Sequence, residues 1–227
     1  DPRLGAIAVR YVGATSGNSH TPANANFDPA MQNGMPLGYD NATIVAVAAA
    51  DGLASFYEYS QVDRLKLAKL TAPYCFVTAA QTNLLLAEAR ERGWIATGTV
   101  DEYYNAGVTA HMVQLGTVDP GSVIAAGDIT AYLAANPLVP ATALEQINTQ
   151  YWVASFLSGP EAFANFRRSG FPALAPNPFP GSEVPGAFIR RLTYPDSERS
   201  VNGENLDEAI ARMGADDLAT RVWWDKP

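Results

Sequence analysis

Residues 142–172 read TALEQINTQYWVASFLSGPEAFANFRRSGFP, and the stretch divides into a helix, a break, a second helix and a stop. Thr142 and Glu145 have the spacing of a capping box, in which each side chain serves a backbone N–H that the first helical turn leaves unpaired. Leu144, Ile147, Tyr151, Ala154 and Leu157 recur at intervals of three and four, so they share one helical face. Trp152 and Phe156 widen that face toward burial all round. Gly159-Pro160 breaks the helix, and proline suits the first turn of the next one. Glu161 in that first turn, and Arg167 and Arg168 in the last, complement the helix dipole. Gly170 supplies a C-terminal stop and Pro172 bars continuation.

Residues 73–115 follow the same grammar. Val77, Ala80, Leu84, Ala87 and Glu91 fall on one face, with Leu85, Glu88 and Arg92 beside it, and Gly93 ends the run. Thr99 and Glu102 make a second capping box, opening a helix with Tyr104, Val108, His111 and Leu115 along one side. Two helices joined by a short polar loop form an αα-hairpin, and Ala87, Ala89, Ala106 and Gly107 allow close approach. The texture is that of a tetratricopeptide unit, although one unit does not establish a repeat. Asp128 is placed as the cap of a short helix over 129–135, closed by Asn136-Pro137. Residues 205–213 form a last helix with Leu206, Ile210 and Met213 on one face.

The flanks are less regular. Residues 7–11 suggest a strand, and 15–37 a loop rich in Gly, Asn, Ser and Pro. The apolar run 42–50 fits strand or buried helix equally. Five prolines between 172 and 185 mark an extended surface loop, and 187–192 suggests a short strand. The pair Trp223-Trp224 reads as a plug tying the tail to the core.

Composition excludes some functions. A chain of 227 residues, 48% hydrophobic, can build one domain with a sizeable core or two small ones. A formal net charge of -8 disfavours nucleic acid and anionic membrane surfaces as partners. There is no run of about 18 apolar residues to cross a membrane as a helix, and Asp1-Pro2-Arg3 lacks the apolar core of a signal peptide. The single cysteine, Cys75, precludes an internal disulfide and reads as a buried thiol rather than a nucleophile.

No catalytic signature emerges, and we expect a protein that is not an enzyme. His20 and His111 are the only histidines, and neither has a second ligand at zinc or iron spacing. The nucleophile elbow, the P-loop and the dinucleotide fingerprint do not occur. Glu161, Glu183, Glu198, Glu204 and Asp216-Asp217 could supply the carboxylate pair of a glycosidase, but nothing singles out two of them. Arg167 and Arg168 read as partners of carboxylates or of helix carbonyls. No cofactor is expected; the Asp- and Asn-rich loops would suit calcium, without EF-hand spacing. Phe56, Tyr57 and Tyr59 cluster after Asp51-Gly52. Such rings either stack on the C–H faces of a pyranose, with the hydroxyls hydrogen bonding, or fold inward as local core.

Several of these segments, taken together, resemble the C-terminal part of SusD/RagB-type (SusD-like) outer-membrane nutrient-binding lipoproteins. The residues that carry the resemblance are the Gln-rich helix leading into Glu161-Ala162-Phe163 and Arg167-Arg168-Ser169-Gly170-Phe171-Pro172, then Arg190 to Pro195 with Glu198 and Asn202-Gly203-Glu204-Asn205. Arg221-Val222-Trp223-Trp224-Asp225 matches the family's ending, Asp1-Pro2-Arg3-Leu4 a motif found midway along such proteins, and Leu86-Ala87-Glu88-Ala89 with Gly93-Trp94 a family helix. The resemblance implies a mainly α fold, with tetratricopeptide-like helical hairpins packed against an irregular loop-rich region with a few short strands. It implies a single domain over 1–227: loops and short strands in 1–70, helical hairpins in 71–170 and an extended C-terminal region in 171–227. The chain is then expected to be part of a longer lipoprotein whose lipid anchor lies outside it. The implied function is non-catalytic binding of an oligosaccharide at the cell surface and its delivery to a SusC-like TonB-dependent transporter of the outer membrane. Phe56, Tyr57, Tyr59, Tyr39 and Asn41 are the expected ligand contacts; they rest on aromatic clustering in a loop, not on a family motif. The alternatives are a helical-repeat scaffold binding a peptide or protein, and a glycoside hydrolase.

Overall fold

The computed structural model describes residues 1–225 of the chain. A short helix, α1 (Arg3–Ile7), runs directly into strand β1 (Ala8–Tyr11), which lies where the strand was expected. β1 is central, with β2 (Ala25–Asn26) on one side and β3 (Gln61–Val62) on the other, both antiparallel. The register sets Arg10 opposite Asn26, Tyr11 opposite Ala25, Ala8 opposite Val62 and Val9 opposite Gln61. The ambiguous run at 42–50 resolves as helix α2 (Ile44–Ala50). Ile44 and Ala48 lie four residues apart and bury one face against Leu53 and Tyr59.

The expected hairpin follows as α3 (Ala79–Glu91) and α4 (Val100–Val118). Both helices start on fully made capping boxes, Thr78 with Gln81 and Thr99 with Glu102. The first of these corrects the sequence reading: Thr78 is extended, so Val77 lies outside the helix and exposed. Gly107 lets the two backbones meet, since a Cβ there would stand 2.6 Å from Leu84 Cγ and 3.2 Å from the Ala80 carbonyl oxygen. Helix α5 (Ala126–Ala135) starts earlier than expected. Ala125 is its extended cap residue, and Asp128 sits inside the first turn as an anion near the helix N-terminus.

Helices α6 (Ala143–Ala154) and α7 (Gly159–Ser169) form the second pair. The Thr142 hydroxyl donates to Gln146 Oε1, and no capping box forms because Thr142 closes a preceding 3-10 turn. The helix ends at Ala154, and Leu157 takes a left-handed φ of 66° that leaves it exposed. Trp152 and Phe156 are 37% and 39% exposed, so burial is one-sided, not all round. α7 keeps its expected signals: Pro160 in the first turn and a left-handed Gly170 at the end. Ala80, Leu84 and Ala87 of α3, Tyr104, Val108 and Met112 of α4, Ile129 of α5 and Ile147, Tyr151 and Ala154 of α6 share one core. A smaller cluster of Ala6, Leu67 and Leu115 joins the loop-rich region to α4, and the Ser122 hydroxyl donates to the Ala6 carbonyl at 2.9 Å.

Two short helices, α8 (Asp196–Val201) and α9 (Gly203–Met213), end the helical part. No strand forms at 187–192: the backbone N–H groups of Arg190 and Arg191 both go to the single carbonyl of Leu218, which cannot make a ladder. Trp223 is 87% exposed and plugs nothing, while Trp224 is only half-covered, with the Arg167 guanidinium over its ring. The buried Asp225 ties the tail instead: it pairs with Arg190 at 3.5 Å and, within the tail, accepts from Arg221 at 2.7 Å. Cys75 is half-buried rather than buried. The fold is mainly α, with helical hairpins against an irregular region that contains one small sheet.

Candidate functional site

The aromatic cluster sits on a one-turn 3-10 helix, residues 56–58, between α2 and β3. Ser55 fixes the start: its Oγ accepts from the Tyr57 N–H at 3.1 Å and donates to the Ala14 carbonyl at 2.8 Å. Glu58 fixes the end. It is buried, accepting from Arg10 of β1 at 2.6 Å and from the Ala54 N–H at 2.8 Å. Burial alone would raise its pKa; the hydrogen bonds from Ala54 and Arg10 outweigh burial and hold it below the ordinary value.

This turn sorts the three rings. Tyr59 points into the core, 1% exposed, among Ile44, Ala48 and Leu53, and its hydroxyl donates to Asp51 Oδ2 at 2.6 Å. Burial first, and then Asp51, push its pKa up to about 12. This ring supports the turn from below, and Tyr59 borders the cleft described next with almost none of its own surface exposed. Phe56 packs half-buried on the same cluster. Tyr57 faces outward, 36% exposed, and stacks on Phe56 with centroids 4.4 Å apart.

His20 joins them from the loop between β1 and β2. Its ring stacks on Tyr11 at 4.4 Å and 14°. Its Nε2 is 2.9 Å from the Tyr57 carbonyl, which can only accept, so Nε2 carries the proton and Nδ1 faces the Arg64 guanidinium at 3.5 Å. The Gln61 amide also donates to the Tyr57 carbonyl. Phe56, Tyr57, His20, Gln61, Arg64 and Met35 enclose a cleft of about 310 Å³. His20, Gln61 and Arg64 were not singled out as site residues, because only the β1–β3 pairing and the returning loop bring them together. Tyr39 and Asn41 are exposed on the loop before α2; Gly38 in that loop lies against Pro178 of the proline-rich segment.

A larger groove of about 570 Å³ lies between α6, α7 and the C-terminal region, walled by Trp152, Phe163, Phe166, Leu174 and Phe188. Asn177 and Ser182 are its polar members. A sugar there would lose water from its hydroxyls with few groups to replace it. The first cleft mixes stacking faces with an amide, an imidazole and a guanidinium, and suits a polyhydroxylated ligand better.

Several buried or half-buried carboxylates are engaged in holding the fold together. Glu88 accepts a bidentate Arg168 at 2.7 Å to each oxygen and Arg92 at 2.8 Å. Glu161 accepts from the Tyr151 hydroxyl at 2.6 Å, and Asp216 accepts from Arg191 and Arg199. Among the described residues no group of three or more His, Cys, Asp or Glu is arranged to hold a metal ion, and no single helix is long and apolar enough to cross a membrane.

Residues 7–195 match a SusD-like family described as starch-binding and associating with the outer membrane. That match covers most of the chain, which belongs to the SusD-like family. Among solved structures, a chitin-binding protein is 33% identical with a TM-score of 0.82, matching 100% of this chain and 47% of its own. A chitin-binding SusD homologue from Flavobacterium johnsoniae is 27% identical with a TM-score of 0.60, over 75% of this chain and 40% of its own. A SusD homologue from Bacteroides uniformis is 27% identical with a TM-score of 0.62, over 78% and 41%. The chain thus spans less than half the length of these relatives. No curated protein matches it.

Proposed function

We propose that this chain is the glycan-reading part of a SusD-like surface protein, which captures an oligosaccharide without cleaving it. The observation that carries the reading is the outward ring of Tyr57, stacked on Phe56 and bordered by His20, Gln61 and Arg64. A ring held in this way meets a pyranose face at little entropic cost, and the neighbouring donors reach its oxygens. Tyr39 and Asn41, on the adjacent loop, are proposed as outer contacts. The two chitin-binding relatives support oligomers of N-acetylglucosamine as the ligand. In the full-length protein, anchored by a lipid at the cell surface, the bound glycan would pass to a SusC-like TonB-dependent transporter.

The test is calorimetry of the chain against chitin and starch oligosaccharides, with product analysis on the same samples. Binding of the chitin series without products, weakened about tenfold by Tyr57→Ala, is the expected result; tenfold corresponds to about 1.4 kcal/mol, near the upper end of an aromatic stacking contribution. Released products would overturn the non-catalytic reading. No binding by any glycan would overturn the reading as a whole.

A further inference from the structure

The cleft of Tyr57 does not end at His20. On the far side of the Tyr11–His20 stack lies a second cleft of about 340 Å³, lined by Tyr11, Pro22, Phe27 and Leu65. The two share His20 and Arg64 as walls. Each is near the lower end of the roughly 300–1,000 Å³ range of ligand sites. Arg64 is the cation common to both. Its neighbour Lys66 pairs with the buried Asp63 and lies over the Phe27 ring at 4.0 Å, whereas Arg64 makes no ion pair among the described residues and meets only the His20 Nδ1. An exposed guanidinium without an acidic partner, standing between two aromatic clefts, is a donor set held ready for acceptor oxygens on either side.

We infer that the clefts are two halves of one binding groove, in which a linear glycan crosses the His20 ridge with Tyr57 on one side, Phe27 on the other and Arg64 donating to oxygens of the crossing residue. The inference rests on the glycan-binding reading above and adds a second subsite to it. Its ligand class is a neutral oligosaccharide longer than one cleft can hold, rich in carbonyl or hydroxyl acceptors, as acetamido sugars are.

Calorimetry of the chain with N-acetylglucosamine oligomers of increasing length tests it. Affinity should step up about tenfold or more once the oligomer is long enough to cross the ridge. Phe27→Ala and Leu65→Ser should remove most of that step and leave the shortest binding oligomer unaffected. Tyr57→Ala should weaken every length. Leu65 is exposed, so its variant keeps the fold, and thermal melting monitors the Phe27 variant. Arg64→Ala should weaken the long oligomers more than the short. Affinity independent of length, or long oligomers indifferent to both Phe27→Ala and Leu65→Ser, would overturn the second subsite while leaving the Tyr57 site intact. Failure of every length to bind unmodified protein would overturn both.

Discussion

Phe56, Tyr57 and Tyr59 are near neighbours in sequence and take different roles because of the local period. A 3-10 turn has three residues per revolution, so positions i and i+3 eclipse and i+1 points about 120° away. Phe56 and Tyr59 therefore share the face that meets α2, and Tyr57 is left to solvent. Two substitutions should separate the roles. Tyr59→Phe removes the hydrogen bond to Asp51 and should cost about 1 kcal/mol of stability in urea unfolding, with glycan affinity unchanged. Tyr57→Ala should do the reverse, and a fall in both properties for either variant would refute the separation. The cluster itself was legible in the sequence. Which ring faced out was not, because the turn type depends on Ser55 reaching Ala14, a contact between distant residues. The same holds for Glu88, whose charge survives burial only because Arg168 and Arg92 donate to it and outweigh the desolvation. Arg168 also donates to Asn148 and Asn165, so one guanidinium ties α3, α6 and α7. Removing one partner of such a pair strands the other. Arg168→Met should cost about 2–4 kcal/mol, and adding Glu88→Gln should recover part of the loss. A cost below about 0.5 kcal/mol, as for surface pairs, would refute this role.

The hairpin helices were legible because their signals are local: periodicity, a hydroxyl and a carboxylate or amide three residues apart, a terminal glycine. The sheet was not. β2 and β3 are two residues each, too short to show alternation, and they are defined by partners 14 or more positions away along the chain. The failures also have local causes: the strand at 187–192 had the right residues and no neighbouring backbone, and Thr142 had the right spacing and the wrong preceding turn. Gly107 sets propensity against packing. Replacing a helical glycine by alanine gains about 1 kcal/mol where the site is open. Here the new methyl would meet Leu84 Cγ and the Ala80 carbonyl, both in the core. Overpacking costs about 1–3 kcal/mol, so packing should win and Gly107→Ala should destabilise by about 1–2 kcal/mol. A stabilised variant in thermal or urea unfolding would mean that the α3–α4 contact is looser than described.

At the scale of the molecule, the loop-rich region and the helical core meet at a buried basic pair, and this junction should set the response to acid. Arg3 of α1 donates to His111 Nδ1 of α4 at 3.2 Å and to the Tyr132 hydroxyl of α5 at 3.3 Å, and it pairs with Asp1. Burial first, and the Arg3 charge second, push the His111 pKa down to about 4 from 6.5. The unfolded chain therefore takes up a proton at this position before the folded chain does. Between pH 6.5 and about 4 the unfolded state binds more protons, so stability rises with pH across that window and falls as the solution is acidified. The displacement corresponds to roughly 3 kcal/mol, at about 1.4 kcal/mol per pH unit. Glu88 adds a second loss in the same direction but lower down: its pKa is depressed in the fold, so its contribution is complete above the unfolded carboxylate value and disappears as the pH falls through the folded one. The two steps are separable by position on the pH axis. Urea unfolding of the chain from pH 8 to pH 4 should show a flat plateau above about pH 7 and a steady decline below it. In His111→Gln, an uncharged residue that can still accept from Arg3, the decline between pH 6.5 and 4.5 should flatten while any Glu88-linked loss below it persists. An equal slope in the variant would mean that the acid response originates elsewhere, and that the junction between the two regions is open to water.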